Sequence, residues 1–245
     1  MKVAKENYFD GQIAENYDLA PGIFDPAVID SAVSFLADLA GSGAALELGI
    51  GTGRIALPLS QRGVSVHGIE LSPAMVTQLQ AKPGATDIGV TIGDFAATRV
   101  ERTFRLAYLV YNTITNLTTQ DEQVECFRNV ARHLEPGGLF VIELEVPPLQ
   151  RLPPGENVRA FAVSPPHLGF DEIDIVTQQG ISHHYWVADG KGWVNSMPYR
   201  FVWPSELDLM ARIAGMALRE RWGDWNREPF TPNSTKHISV WEKSS

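Results

Sequence analysis

The sequence predicts an α/β protein: a doubly wound, mostly parallel seven-stranded sheet with helices on both faces and an antiparallel β insertion after the fifth strand. Three observations carry this reading. Strand-like and helix-like segments alternate over residues 44–145, the pattern of a parallel sheet joined by crossover helices. A glycine-rich turn, Gly49-Ile50-Gly51-Thr52-Gly53, lies between the first strand and its helix, where such folds grip nucleotide-like ligands. After Glu145 the helical periodicity gives way to alternating apolar and polar stretches broken by proline and glycine, as in antiparallel strands.

Residues 1–24 form a polar, aromatic arm with Tyr8, Phe9, Tyr17 and Phe24. It reads equally as a surface segment and as an N-terminal lid over the ligand. Asp25-Pro26 opens the first helix, aspartate suiting the N-cap and proline the first helical position. Val28, Ile29, Val33, Leu36 and Ala40 follow at helical spacing, and Gly41 and Gly43 end it. The first strand covers 44–48, and the helix after the turn runs over about 53–61. The second strand, 64–70, ends on Glu70. Ser72-Pro73 opens the next helix, with Met75, Val76 and Leu79 on one face. Strands follow at 88–92, ending in Gly93-Asp94-Phe95, and at 104–111. Thr119-Gln120-Asp121-Glu122 is a capping box for a helix striped by Val124, Phe127, Val130, Ala131 and Leu134. Glu135-Pro136-Gly137-Gly138 is expected to stop that helix before a strand over 139–145.

Residues 146–203 are expected to form three or four antiparallel strands, separated at Pro165-Pro166, Gln179-Gly180 and the hairpin signal Asp189-Gly190. A helix from Trp203-Pro204 and strands over 217–222 and 236–241 complete the chain. The organisation expected is one domain, with 25–145 and 204–245 as the ligand-binding core and 146–203 as a cap on an acceptor pocket.

Bulk properties exclude several functions. Twenty-nine acidic residues outnumber 20 basic ones, for a net charge of −9. No basic run or basic-aromatic patch is present, which argues against a nucleic-acid partner. A single cysteine, Cys126, rules out a disulfide framework. Met1 to Asn7 lack the apolar run of a signal peptide, and no stretch approaches the ~20 apolar residues of a membrane helix. A cytoplasmic protein with no membrane partner is expected, and monomer and homodimer are both open. The histidines and carboxylates show no metal-ligand spacing, so no metal is expected.

The ligand of the glycine turn is a choice between chemical classes. A dinucleotide fingerprint needs Gly-x-Gly-x-x-Gly. Here Arg54 stands where its third glycine would fall, and the glycines are Gly49, Gly51 and Gly53. With Glu47 before the turn, Glu70 ending the second strand, Gly93-Asp94-Phe95 ending the third and the Leu134-Glu135-Pro136-Gly137-Gly138 turn, the chain resembles the class I S-adenosylmethionine-dependent methyltransferases over roughly residues 25–145. The resemblance implies S-adenosylmethionine as the methyl donor and S-adenosylhomocysteine as its product. It implies Glu70 on the ribose hydroxyls, Asp94 on the adenine amino group beside Phe95, and Glu47 near the ligand's ammonium. Met75 is expected near the ribose or adenine, and Leu71 and Gly93 beside them. Tyr17 and Tyr111, with Tyr8, are candidates to face the sulfonium through their rings, and Asn112 is a further candidate cofactor-binding residue. Two alternatives are a protein that binds this ligand with lost or altered transfer chemistry, and an NAD(P)-dependent oxidoreductase.

The acceptor is expected where strand order reverses, at the carboxyl ends of the strands. The fourth strand ends in Tyr111-Asn112-Thr113, with no Asn-Pro-Pro-Tyr signature of nucleobase or protein-glutamine methylation. A small-molecule acceptor is therefore expected, through oxygen or nitrogen. The layout of the insertion is similar to that of aminosugar N-methyltransferases. Candidate catalytic groups are Glu145, at the end of the fifth strand, and His183 and His184. Neighbours on a strand face opposite sides, so at most one of these histidines turns toward the pocket.

Overall fold

The computed structural model describes residues 8–19, 25–188 and 190–244. Phe24, the outer parts of the expected lid and Asp189 of the expected hairpin lie outside the described residues.

Seven strands form the main sheet. β1 (Ala45–Leu48), β2 (Val66–Glu70), β3 (Gly89–Ile92), β4 (Phe104–Leu109) and β5 (Leu134–Glu145) are parallel. β6 to β9 form a separate sheet: Val158–Ser164, His167–Asp174, Gln179–Ala188 and Lys191–Arg200, each antiparallel to the next. The chain returns to the main sheet with β10 (Met216–Trp222) and β11 (Lys236–Lys243), antiparallel to each other, with β11 antiparallel to β5. The main-sheet order is β10-β11-β5-β4-β1-β2-β3. From β1 the chain builds outward through β2 and β3, then returns to the other side of β1 with β4. The crevice at that reversal lies between the ends of β1 and β4.

Six α-helices are described: α1 (Gln12–Asn16), α2 (Pro26–Ala40), α3 (Ala56–Gln61), α4 (Pro73–Gln80), α5 (Gln120–His133) and α6 (Pro204–Ile213). Asp25 caps α2 by accepting from the Ala27 amide at 3.0 Å. Ser72 caps α4 through the Met75 amide at 3.1 Å, and Thr119 and Glu122 complete the capping box of α5. Alternate strand residues feed two cores. Leu46, Leu48, Phe140 and Ile142 pack with Phe127 and Trp241 on one face. Ala45, Tyr108, Leu139 and Val141 pack with Val33 and Leu36 on the other. No helix among the described residues is long and apolar enough to cross a membrane.

The structure corrects two local expectations and adds detail to the arm. Glu135-Pro136-Gly137-Gly138 lies inside β5, which starts at Leu134. The pairing jumps from Phe104–Leu134 to Leu106–Leu139, so these residues bulge out of the ladder, with Gly137 at φ 73°. Gln179-Gly180 is strand; the turn precedes it and closes at Gln178, φ 59°. The arm contains α1 and a 3-10 turn, Tyr17–Leu19.

Gly68 shows how tightly β2 meets the glycine turn. A Cβ there would lie 2.5 Å from the Ile50 side chain. Gly68→Ala is expected to cost about 1–3 kcal/mol by overpacking, read as a lower midpoint in denaturant titration.

Candidate active site

The turn after β1 is built for close approach. Gly49 and Gly51 adopt φ 71° and 55°, conformations that residues bearing a Cβ rarely adopt. A Cβ on Gly49 would meet the Thr113 methyl at 2.8 Å across the crevice, and one on Gly51 would meet the Met75 methyl at 3.3 Å. Met75, buried under the turn, therefore sets its floor. Gly53 backs onto Leu79, and Gly93 onto Thr98.

Glu70 reaches back from the end of β2 to this turn. Its Oε2 accepts from the Gly51 amide at 2.9 Å and its Oε1 from the Ser72 amide at 2.8 Å. Burial pushes its pKa up, and the amides of Ser72, Gly51 and Leu71 pull it back. Each carboxylate oxygen can accept a second bond, so the pair suits two adjacent hydroxyls. Beyond β3, Asp94 Oδ1 accepts from the Ala96 amide at 2.9 Å. Phe95 is buried with its carbonyl held by Asn129 at 2.9 Å, and its ring edge lies near Gly49. Glu70 and Asp94 thus end neighbouring strands, as expected of groups along one elongated ligand.

Glu47 is the buried carboxyl of the site, 3% exposed. The Tyr108 hydroxyl donates to its Oε2 at 2.9 Å. Burial lifts its pKa to about 8, against the lowering effects of Tyr108 and Arg54. Arg54 also stacks over the Tyr111 ring, 4.7 Å from its centroid. Sequence reading noticed Arg54 only as a missing glycine. Its position immediately after the turn is the signal that could have placed a cation here.

The arm crosses this crevice. Ser72 Oγ donates to the Phe9 carbonyl at 2.7 Å, and Phe9 meets the Tyr17 ring edge-on at 6.2 Å. Burial pushes the Tyr17 hydroxyl up to about 12; Arg54 opposes the shift, while Tyr111, Glu70 and Asp18 add to it. Arg54 therefore stacks on Tyr111, and its charge also reaches the Tyr17 hydroxyl.

Tyr111 and Asn112, at φ 56° and 61°, turn sharply off β4. Two successive residues in this region cost roughly 1–2 kcal/mol each. Side-chain bonds to β5 hold them: Glu143 Oε2 accepts the Tyr111 amide at 3.1 Å, and Asn112 Oδ1 accepts the Glu145 amide at 2.8 Å. Glu143 Oε1 also accepts from Trp225 at 3.0 Å.

The four-stranded sheet adds an acidic and aromatic face. The strand registers put Asp171, Ser182, His184 and Tyr199 on one side. Burial raises the pKa of Asp171, the Glu145 charge adds to it, and Ser182 and Arg159 oppose it. Burial also raises Tyr199, with Asp171 and Glu145 contributing, and Glu145 acts in the same sense on Tyr111 after burial. Glu145, Asp171, Tyr111 and Tyr199 thus share one electrostatic neighbourhood. In the sequence, Asp171 resembles part of a solvated face with Glu172 and Asp174. In the structure it is half-buried, while those two are exposed.

The two histidines separate as the strand period requires. His184 stacks with His167, its Nδ1 3.1 Å from His167 Nε2 and its Nε2 3.4 Å from Ser182 Oγ. Burial lowers its pKa, and His167 and His183 lower it further. His183 points to the opposite face, with Nδ1 2.8 Å from Ser196 Oγ and Nε2 3.8 Å from Glu172. Among the described residues, no three His, Cys, Asp or Glu are grouped to hold a metal ion.

Comparison with known proteins agrees with this geometry. A family model described as a methyltransferase domain matches residues 45–138. The chain is 30% identical over 244 residues to the cypemycin N-terminal methyltransferase of a Streptomyces species, covering 96% of this chain and 97% of that protein. The CcbJ methyltransferase from Streptomyces caelestis has 35% identity and a TM-score of 0.88, over 98% of this chain and 99% of that one. S-adenosylmethionine-bound CalS10, an amino pentose methyltransferase from Micromonospora echinaspora, shares the fold at a TM-score of 0.70 and 19% identity, over 98% and 99%. The strand order, the glycine turn and these relatives agree: the chain belongs to the class I S-adenosylmethionine-dependent methyltransferases.

Proposed function

We propose that this methyltransferase transfers its methyl group to an amine nitrogen of a small-molecule acceptor. What supports the reading is Glu145 at the end of β5, close enough for its charge to bear on Tyr111, Asp171 and Tyr199 alike. Carboxylates and aromatic faces attract an ammonium group and offer a neutral alcohol no comparable charge contact. The net charge of −9 disfavours a nucleic-acid acceptor. The full-length relative from Streptomyces is by name an N-terminal methyltransferase, which supports nitrogen over oxygen.

In this reading Glu70 holds the ribose hydroxyls and Asp94 the adenine amino group, with Leu71, Met75, Gly93 and Phe95 walling that end. Gly49, Gly51 and Gly53 let the amino-acid portion lie on bare backbone, Glu47 takes its ammonium and Arg54 its carboxylate. S-adenosylmethionine supplies, when bound, a methyl group on a positively charged sulfur. Tyr17 and Tyr111 offer ring faces to that charge, and Asn112 fixes the Tyr111 turn.

Glu145 draws in the acceptor as its ammonium. Asp171, its carboxyl held up by burial, takes the proton that must leave before the nitrogen lone pair is available. The lone pair then forms the N–C bond in line as the C–S bond breaks, and the sulfur keeps the electron pair. The new ammonium sheds its proton to a carboxylate or to solvent. Orientation supplies much of the acceleration. His184 and His167 brace the sheet that carries Asp171, and His183 braces its other face.

The test is a set of matched amine and alcohol acceptors, followed by S-adenosylhomocysteine release. Amines are expected to turn over and alcohols not. Glu145→Gln and Asp171→Asn should each lower kcat/KM for the amine about tenfold, a loss of ~1.4 kcal/mol. Affinity for S-adenosylhomocysteine should be unchanged. Equal turnover of amines and alcohols would remove the assignment.

A further inference from the structure

Asp18 lies on the 3-10 turn that follows α1 and is bonded from two other elements. Its Oδ1 accepts the Thr52 hydroxyl at 2.6 Å, and its Oδ2 pairs with the Lys82 ammonium. Lys82, just beyond α4, also donates to the Thr52 carbonyl at 2.7 Å. Arm, glycine turn and α4 are thus joined at one point. The Thr52 side of the joint is buried, at 1% exposure. The ion pair is partly open, with the Lys82 and Asp18 side chains 24% and 34% exposed. The neighbouring Tyr17 ring packs edge-on against Phe9, and the charges of Arg54 and Glu70 both reach its hydroxyl. The joint also borders a cavity of about 440 Å³ lined by Asp18, Arg54, Leu57 and Lys82.

We infer that Asp18 is a positioning residue, clamping the arm to the glycine turn through Thr52 and Lys82 and so setting Tyr17 over the cofactor. The crevice end of the arm covers the path along Gly51 and Glu70, since Ser72 Oγ holds the Phe9 carbonyl there. Cofactor exchange then requires the Asp18–Lys82 pair to part. A partly exposed pair is weakened by salt, so release of the product is coupled to ionic strength through this joint. The inference rests on the crevice being the S-adenosylmethionine site, and the experiment separates the two.

The measurement is the dissociation rate of S-adenosylhomocysteine from the full-length protein, by stopped-flow displacement at low and high sodium chloride. For the wild type, release is expected to accelerate with salt. Asp18→Asn and Lys82→Met are each expected to release about tenfold faster at low salt and to lose most of the salt dependence. Lys82→Arg should stay close to wild type, because it keeps the charge. In turnover, Asp18→Asn should raise KM for S-adenosylmethionine more than it changes kcat. Should Asp18→Asn fail to fold, Lys82→Met carries the same test. Release rates within twofold of wild type in both charge-removing variants, or an unaltered salt dependence, overturn the clamp with the crevice reading intact. A wild-type protein that does not bind S-adenosylhomocysteine overturns the crevice reading and the clamp together.

Discussion

Glu70→Ala is expected to weaken S-adenosylhomocysteine binding by at least about 100-fold. Hydrogen bonds to a charged partner contribute about 1.5–3 kcal/mol each, and the ribose offers two. Their loss is about 3 kcal/mol at the lower end, and each 1.4 kcal/mol is tenfold. The same substitution frees the amides of Gly51 and Ser72, which Glu70 holds at 2.9 and 2.8 Å. The free protein should therefore also lose about 1–3 kcal/mol of stability. Calorimetric titration of the folded variant reads the first effect, and urea unfolding the second. A folded Glu70→Ala protein that binds within threefold of wild type would remove Glu70 from the ribose.

Glu47→Gln is expected to act in opposite directions on the free and bound protein. Burial lifts the folded pKa of Glu47 to about 8, from 4.5. For a group raised in the fold, the stabilising contribution is full below the unfolded value and is lost as pH rises through the folded one. The free wild type should thus lose stability between pH 4.5 and 8, by about 5 kcal/mol in all at ~1.36 kcal/mol per pKa unit. Glutamine removes that slope and still accepts the Tyr108 hydroxyl. Its melting temperature should exceed the wild type's above pH 8 and match it near pH 4. The bound protein should lose affinity, because the ligand's ammonium then meets an uncharged amide. Parallel pH profiles of melting for the two proteins would count against a buried, proton-binding Glu47.

The geometry around the glycine turn was legible because it is local. A strand end, a turn and a helix start lie within a few residues of each other, so Glu47 and the glycines fall together from pattern, and Glu70 ends the adjoining strand. Asp94 and Phe95 followed from the third strand end. The region proposed for the acceptor was not legible for the same reason reversed. Asp171 comes to Glu145 through the register of β7, β8 and β9 and the way that sheet meets the end of β5, contacts far apart in sequence. Asp171, Glu172 and Asp174 read together as a solvated face, since nothing local marks which side of β7 looks inward. Arg54 was missed because its direction depends on the Tyr111-Asn112 turn, two residues with positive φ and no glycine to announce them. α1 was missed because five residues capped by no side chain give almost no periodic signal. β5 was shortened because Pro136-Gly137-Gly138 reads as a stop, whereas a bulge accommodates all three within the strand.

The most direct test is one reaction with a small acceptor carrying both an amine and hydroxyls, given S-adenosylmethionine with an isotopically labelled methyl. Mass spectrometry and NMR of the product locate the label. The account predicts the label on nitrogen, with S-adenosylhomocysteine formed in equal amount. A product labelled on oxygen would contradict it.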